Sequence, residues 1–462
     1  MGRIRFLFGL WAAKLSIPVM RITGHNATNY PGQIAINICP DFLEYIGKPE
    51  HIISVTGTNG KTTVNNMIMD MFDAMGKKVL SNRAGSNTRT GITTALLKGA
   101  NIFGKAKYDT AVFETDERST IRIFPWVKPE YVLVTNLFRD SIMRNGHPEF
   151  IGDILTGNIP KTSKLILNGD DLISVGIAPE CKRVYYGIEK LDTDLTECIN
   201  LINDIRICPK CSGKLKYDYL RYHHIGRAHC EDCGFASPEY DYAGSDIDYA
   251  NKTVTIRDKD SYGVYSMVND SIFNIYNMVA IAALFREMGY SHDEIVSAMK
   301  HSKVVESRYK LVETNGIRII TQLAKEKNAL AISRAFDYIK DVPGNKTVLL
   351  MMNCLYDEEH WSENTCWMYD CDFEFLNRDD IREIVVSGPR ARDYRLRLLF
   401  AGVPEDKIKL MPDELEGARQ ISMKKGDAVC VFHGVDSFDL TQEVRKILVE
   451  RAEKTEGTDH ED

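Results

Sequence analysis

The sequence lacks a hydrophobic run long enough to cross a bilayer as a helix: its most apolar stretch, residues 1–20, is interrupted by Lys14. That stretch places Arg3 and Arg5 before apolar residues, yet no clean small-residue cleavage site follows, which argues against a secretory signal. A basic excess is also missing. Lys and Arg number 58 against 65 Asp and Glu, for a net charge of −7, so broad nucleic-acid binding through phosphate contacts is not expected. There is no internal repeat and no long low-complexity segment. A short, disulfide-dense framework is absent too, because the 11 cysteines are spread through 462 residues. Reduced thiols and a cytoplasmic address are therefore expected. The first twenty residues leave two readings open: a helix packed on its domain, or a peripheral contact with the inner face of a membrane.

What is present is a soluble globular composition, 44% hydrophobic and 27% charged, in a chain long enough for two or three cores. Residues 1–48 read as an apolar helix and a connecting segment. Residues 49–306 alternate strand-like runs (AVF at 111–113, YVLVTN at 131–136, KLILNGDD at 164–171) with helical periodicity. Val64, Met67, Ile68, Met71, Phe72 and Met75 form a stripe that predicts an amphipathic helix with a core-facing side. Residues 307–452 repeat the alternation, and 453–462 read as a polar, disordered tail. The fold class expected is α/β: a parallel-sheet nucleotide domain followed by a smaller α/β domain.

Gly57-Thr58-Asn59-Gly60-Lys61-Thr62-Thr63 follows a strand and opens the amphipathic helix. Glycines there let backbone N–H groups turn toward a phosphate, and the helix N-terminus adds partial positive charge. Lys61 can reach terminal phosphates and Thr62 can ligate Mg²⁺. The gap between the glycines is shorter than in the commonest Walker loop. Glu114 ends a predicted strand, where a carboxylate can hold the same Mg²⁺. Further on, Cys208, Cys211, Cys230 and Cys233 give two C-x₂-C knuckles, a spacing suited to a closed, structural Zn²⁺ site within a ribbon at 206–236. Such a ribbon is expected to unfold without its metal while the phosphate loop stays folded. Tyr217, Tyr219, Arg221, Tyr222, His223, His224 and Arg227 interleave charge and aromaticity between the knuckles. Nucleic-acid contact is the less favoured reading of them.

TGTNGKTT resembles the nucleotide loop of the Mur ligases and folylpolyglutamate synthases, which phosphorylate a carboxylate with ATP and let an amine attack the acyl phosphate. With the ribbon, the segments YPGQIA, VTNLFRD, LILNGDD and VSGPRARDYRLRLLFAGV extend the likeness over nearly the whole chain, to the MurT branch. The resemblance implies a Mur-ligase fold with an inserted ribbon, ATP and Mg²⁺ as cofactors, and Glu114 as metal ligand. It further implies Asn277 beside adenine, Arg308 on the phosphates, and Lys325 and Asp357 as catalytic residues. It implies a GatD-like glutaminase partner, and amidation of the D-glutamate α-carboxyl of lipid II or a related peptidoglycan precursor. The third block departs from the pattern. Lys325 is followed by Glu326-Lys327-Asn328, a longer stretch separates Asp357 from Asn364, and Phe432-His433-Gly434 replaces a threonine- and tyrosine-rich motif. Two alternatives thus stay open: a ligase using another amine or acceptor, and a non-catalytic nucleotide-binding scaffold.

Overall fold

The computed structural model describes residues 2–83, 85–139, 147–268, 270–302, 309–352, 365–435 and 437–455. Arg308, Asp357, Asn364 and the end of the tail, residues 456–462, lie outside them. The chain divides into two compact units. The first holds the described residues up to Phe138, then His147–Ile199 and 203–302. The second holds Arg139, 200–202 and the described residues from Tyr309 onward.

In the first unit, helix α1 (Gly2–Ile22) lays Phe6, Leu10 and Ala13 into a core shared with Phe42, Leu43, Ile46 and Leu97. Strand β1 (His51–Thr56) has only His51 exposed, as expected of an Ile- and Val-rich strand covered on both faces. Helix α2 (Lys61–Ala74) follows, and the stripe Val64, Met67, Ile68, Met71 and Phe72 is buried as its periodicity requires. The remaining strands are β2 (Leu80–Ser81), β3 (Thr110–Glu114), β4 (Tyr131–Val134), β5 (Lys164–Asn168) and β6 (Lys182–Ile188). A separate hairpin, β7 (Lys216–Tyr222) and β8 (Ile225–His229), precedes β9 (Tyr242–Asp248), β10 (Thr253–Arg257) and β11 (Tyr262–Ser266).

The nine-stranded sheet runs β11-β10-β9-β6-β5-β4-β1-β3-β2. It is parallel from β2 through β9, with β10 and β11 added antiparallel. Strand order reverses at β1, which lies between β3 and β4. That reversal opens the crevice at the strand ends in which α/β sheets place ligands. Helix α3 (Ile272–Glu287) is buried continuously from Ile275 to Phe285. Phe285 meets Phe72 of α2 with ring centroids 5.1 Å apart.

The second unit is a six-stranded sheet ordered β12-β13-β17-β14-β15-β16. Its strands are β12 (Tyr309–Thr314), β13 (Ile317–Leu323), β14 (Lys346–Met351), β15 (Ile381–Val386), β16 (Ile408–Leu410) and β17 (Ala428–His433). All pairings are parallel except the β12–β13 hairpin. Helix α4 (Ala329–Tyr338) and helix α5 (Phe438–Glu453) contribute to separate cores. Residues 200–202 join this unit through Asp372, which accepts from Asn200 Nδ2 (2.8 Å) and from the Leu201 amide (2.6 Å).

Phe336 of α4 is fully buried, with edge-to-face contacts to Phe373 (5.0 Å) and Phe432 (5.1 Å). Phe336→Ala is expected to cost the second unit ~3–5 kcal/mol, read by denaturant titration. A loss below ~1 kcal/mol would show that this aromatic cluster is not central to the core.

Candidate functional site

The phosphate loop leaves β1 between the ends of β3 and β4, so both neighbours can shape it. Gly57 and Gly60 have φ of +118° and +88°, a region favourable only to glycine. A Cβ at Gly57 would lie 2.4 Å from Thr135 Oγ1, and one at Gly60 would lie 2.8 Å from Asn277 Oδ1. The loop is therefore close-packed as well as left-handed. Its backbone is fastened to the segment after β4. The Thr58 amide donates to Asn136 O (2.7 Å), the Asn59 amide to Asn136 Oδ1 (3.1 Å), and Asn136 Nδ2 to Asn59 O (3.1 Å). The Phe138 amide donates to Thr58 Oγ1 at 2.9 Å.

Lys61 Nζ folds back over the loop. It donates to Gly57 O, to Thr58 O (3.3 Å) and to Glu117 Oε1 (2.8 Å). Burial pushes the Glu117 carboxyl up from its ordinary value, against the opposing pull of the Lys61 ammonium. The loop cation thus rests on an acidic residue that the strand-end reasoning passed over in favour of Glu114. Glu114 lies in register with Val55, two residues before the loop, and accepts from Asn87 Nδ2 at 3.0 Å. Its backbone is held on both sides by Asn82, at 2.9 and 2.8 Å. Thr62 is exposed at the start of α2, with Thr63 half-buried beside it. Asn277 lies against the loop at Gly60, on α3. The first unit therefore gathers residues 57–63, Glu114 and Asn277.

Lys325 belongs to the second unit, exposed in the turn between β13 and α4. Next to it Glu326 is buried and accepts from the Val435 amide (3.0 Å), while Asn328 caps α4 through the Ala331 amide (2.9 Å). Three acids that follow Asn364 in the sequence are engaged inside the second unit. Asp370 pairs with Arg139 (3.7 Å), Asp372 binds residues 200–201, and Glu374 takes both oxygens to Arg397. Asp357 and Arg308 fall outside the described residues.

The four cysteines converge: all their sulfurs lie within 4.8 Å of one another, with Cys208–Cys233 at 3.6 Å and Cys211–Cys230 at 3.5 Å. Thiolates around a tetrahedral ion with ~2.3 Å bonds sit about 3.8 Å apart, so the donor set fits Zn²⁺ and leaves no open position. Amides of Lys210 and Gly213 point at Cys208 and Cys211 sulfurs, both at 3.4 Å, as thiolate stabilisation requires. At the other end of the hairpin, the tip is built into the nucleotide domain. Tyr222, His223 and His224 are almost fully buried, and Phe138 meets the His224 ring at 4.4 Å and the Tyr222 ring at 6.3 Å. Arg221 binds Asp194 through two nitrogens (2.9 and 2.8 Å) and reaches Tyr276 of α3. Asp171 accepts from the Leu137 amide at 2.7 Å and lies 3.2 Å from His224 Nε2. The mixed basic and aromatic residues between the knuckles are thus largely occupied in packing. They also connect the ribbon to Phe138 and so to Thr58, which the expectation of a separable ribbon had not foreseen.

Two outcomes follow from this geometry. Lys61→Ala should remove ATP turnover and also destabilise the first unit by ~3 kcal/mol, because Glu117 is left buried without its cation. The double variant Lys61→Ala/Glu117→Gln should regain most of that stability and stay inactive. A double variant as unstable as the single one would deny the pairing. Chelation, or Cys230→Ser, should disorder the hairpin and weaken binding of a fluorescent ATP analogue by about tenfold. Unchanged affinity after complete metal release would sever the ribbon from the loop.

Comparison with known proteins agrees with this arrangement. Residues 55–204 match the Mur ligase middle domain and residues 326–434 the MurT ligase C-terminal domain. The chain is 32% identical over 400 residues to the MurT subunit of the glutamine-hydrolysing lipid II isoglutaminyl synthase of Staphylococcus aureus. The match covers 85% of this chain and 87% of that one. The Streptococcus pneumoniae MurT subunit is 29% identical, covering 88% and 89%. In fold, the chain is similar to a pseudomurein peptide ligase type C from Methanothermus fervidus (TM-score 0.65, 20% identity, covering 88% and 80%). It is also similar to MurF from Thermotoga maritima in complex with ADP (TM-score 0.57, 15% identity, covering 92% and 84%). Two family models and a relative at 32% identity across most of both chains show that the chain belongs to the MurT family of Mur ligases, ATP-dependent enzymes that form carbon–nitrogen bonds.

Proposed function

We propose that this chain is the ligase subunit of a glutamine-dependent amidotransferase that converts the D-glutamate α-carboxyl of lipid II, or of a related peptidoglycan precursor, to a carboxamide. The observation that carries this reading is similarity to curated MurT subunits across both units rather than the nucleotide loop alone. In the reaction, a carboxylate oxygen attacks the γ-phosphorus of ATP and ADP leaves with the bonding electrons. Ammonia then attacks the acyl carbon, inorganic phosphate departs, and the nitrogen releases a proton. The ammonia comes from a GatD-like glutaminase subunit, and the work takes place in the cytoplasm.

Loop amides of residues 57–63 and Lys61 would bind the phosphates, and Lys61 would have to leave Glu117 to do so. Thr62 and Glu114 would hold Mg²⁺, which neutralises charge developing on the transferred phosphoryl group. Asn277, packed at Gly60, would adjoin the nucleotide and Arg308 would reach its phosphates. Lys325 and Asp357 would act in the second unit, Asp357 by orienting the incoming amine and accepting its proton. The four cysteines would hold a structural Zn²⁺.

Purified chain with a co-encoded glutaminase subunit, ATP and muropeptide precursor should release ADP in step with a product in which OH has become NH₂, read by mass spectrometry. Ammonium salts should replace glutamine and the glutaminase. Tight Mg-ATP binding with an amino acid incorporated instead of ammonia would transfer the assignment to a divergent Mur-type ligase. ATP binding without any product would leave a nucleotide-binding scaffold.

A further inference from the structure

Helix α1 has two apolar faces, and only one of them is used. Phe6, Leu10 and Ala13 are buried in the domain core, and Lys14 ties the helix down through Leu97 O (2.6 Å) and Ala100 O (2.7 Å). On the other side, Ile4, Phe8, Trp11, Leu15, Val19 and Ile22 are 43% to 86% exposed. At about 100° per residue those six positions fall within an arc of roughly 80° along the whole helix. The stripe continues onto a neighbouring loop: Trp11 Nε1 donates to Ile102 O at 2.8 Å, and Ile102 and Phe103 are 61% and 68% exposed. A contiguous patch of eight large apolar side chains held by two elements is too extensive to be ordinary surface scatter.

Charge identifies what covers it. Residues 2–22 and 95–108 contain no Asp or Glu, in a chain whose net charge is −7. Arg3, Arg5, Arg21, Lys98, Lys105 and Lys107 are all exposed on these segments. On the same helical wheel Arg5 flanks one side of the stripe and Arg3 and Arg21 the other. A narrow apolar arc with Trp and Phe, bordered by cations, is the pattern of a helix lying in a lipid–water interface. A second copy of this face would bring the same cations together, and like charges would oppose it. No helix among the described residues is long and apolar enough to cross a membrane, so contact would be peripheral.

We infer that the outer face of α1, with Ile102 and Phe103, is a docking surface for an anionic lipid bilayer. The assignment stands apart from the amidation reading, and its test needs neither substrate nor partner. The full chain should co-sediment with phosphatidylglycerol-containing vesicles, less at high salt, and far less with pure phosphatidylcholine. Trp11 emission should shift to the blue on binding, a change lost in Trp11→Phe. A variant carrying Phe8→Glu and Leu15→Glu, both exposed, should keep its near-UV circular dichroism and thermal melting and bind vesicles at least ~10-fold more weakly. A variant with Arg3, Arg5 and Arg21 each changed to Ser should lose several-fold on anionic vesicles only. Equal partitioning of wild type and the apolar variant, no partitioning at all, or a dimer in sedimentation that the apolar variant dissolves would each overturn the assignment.

Discussion

A loop that presents its amides to an anion needs to be held by other atoms, and here the segment after β4 does the holding. Asn136 and Phe138 bond to the backbone of residues 58–59 and to the Thr58 hydroxyl, all in places where water is scarce. Buried polar groups left unpaired would cost more than such bonds contribute, so the loop, β4 and whatever packs on Phe138 are constrained together. Phe138 faces the hairpin tip, Asp171 binds the Leu137 amide, and Asn277 closes on Gly60 from α3. The conformation of one short loop thus sets requirements on three sequence-distant segments.

The Lys61–Glu117 pair adds an electrostatic layer. Neither group is solvated enough to stand alone, and each tolerates burial because of the other. Lys61 is thereby held over the loop rather than extended into solvent. Burial raises the proton affinity of Glu117, and the Lys61 ammonium opposes that rise.

Legibility in the sequence followed the range of the interaction. The α2 stripe, the buried strands, the phosphate loop and the cysteine knuckles are local patterns, each set by spacing along a short segment. The position of Glu114 at the end of β3 was readable, because the strand run before it ends there. Glu117 was not, because its role depends on Lys61, 56 positions away, folding back. The hairpin residues misled for a similar reason. Arg221, Tyr222 and His224 look like a decorated surface until the partners Asp194, Phe138 and Asp171 are brought to them by tertiary packing. The antiparallel strands β10 and β11 were not legible either, since short runs of alternating polarity at the end of a sheet resemble loops. The partners of the acids at 370–374 were hidden for the same reason, since Arg139, residues 200–201 and Arg397 reach them only through the fold.

Asp372 binds residues from a distant part of the chain. Its two oxygens are met by Asn200 and Leu201, residues supplied from more than a hundred positions earlier in the chain. The second unit is therefore not a contiguous piece of polypeptide. Cutting the gene at the boundary near residue 307 would yield a fragment with a buried carboxylate stripped of its donors. Shuffling such a half between relatives would succeed only if the short earlier segment travelled with it, so the two units are obliged to drift through evolution as one inheritance.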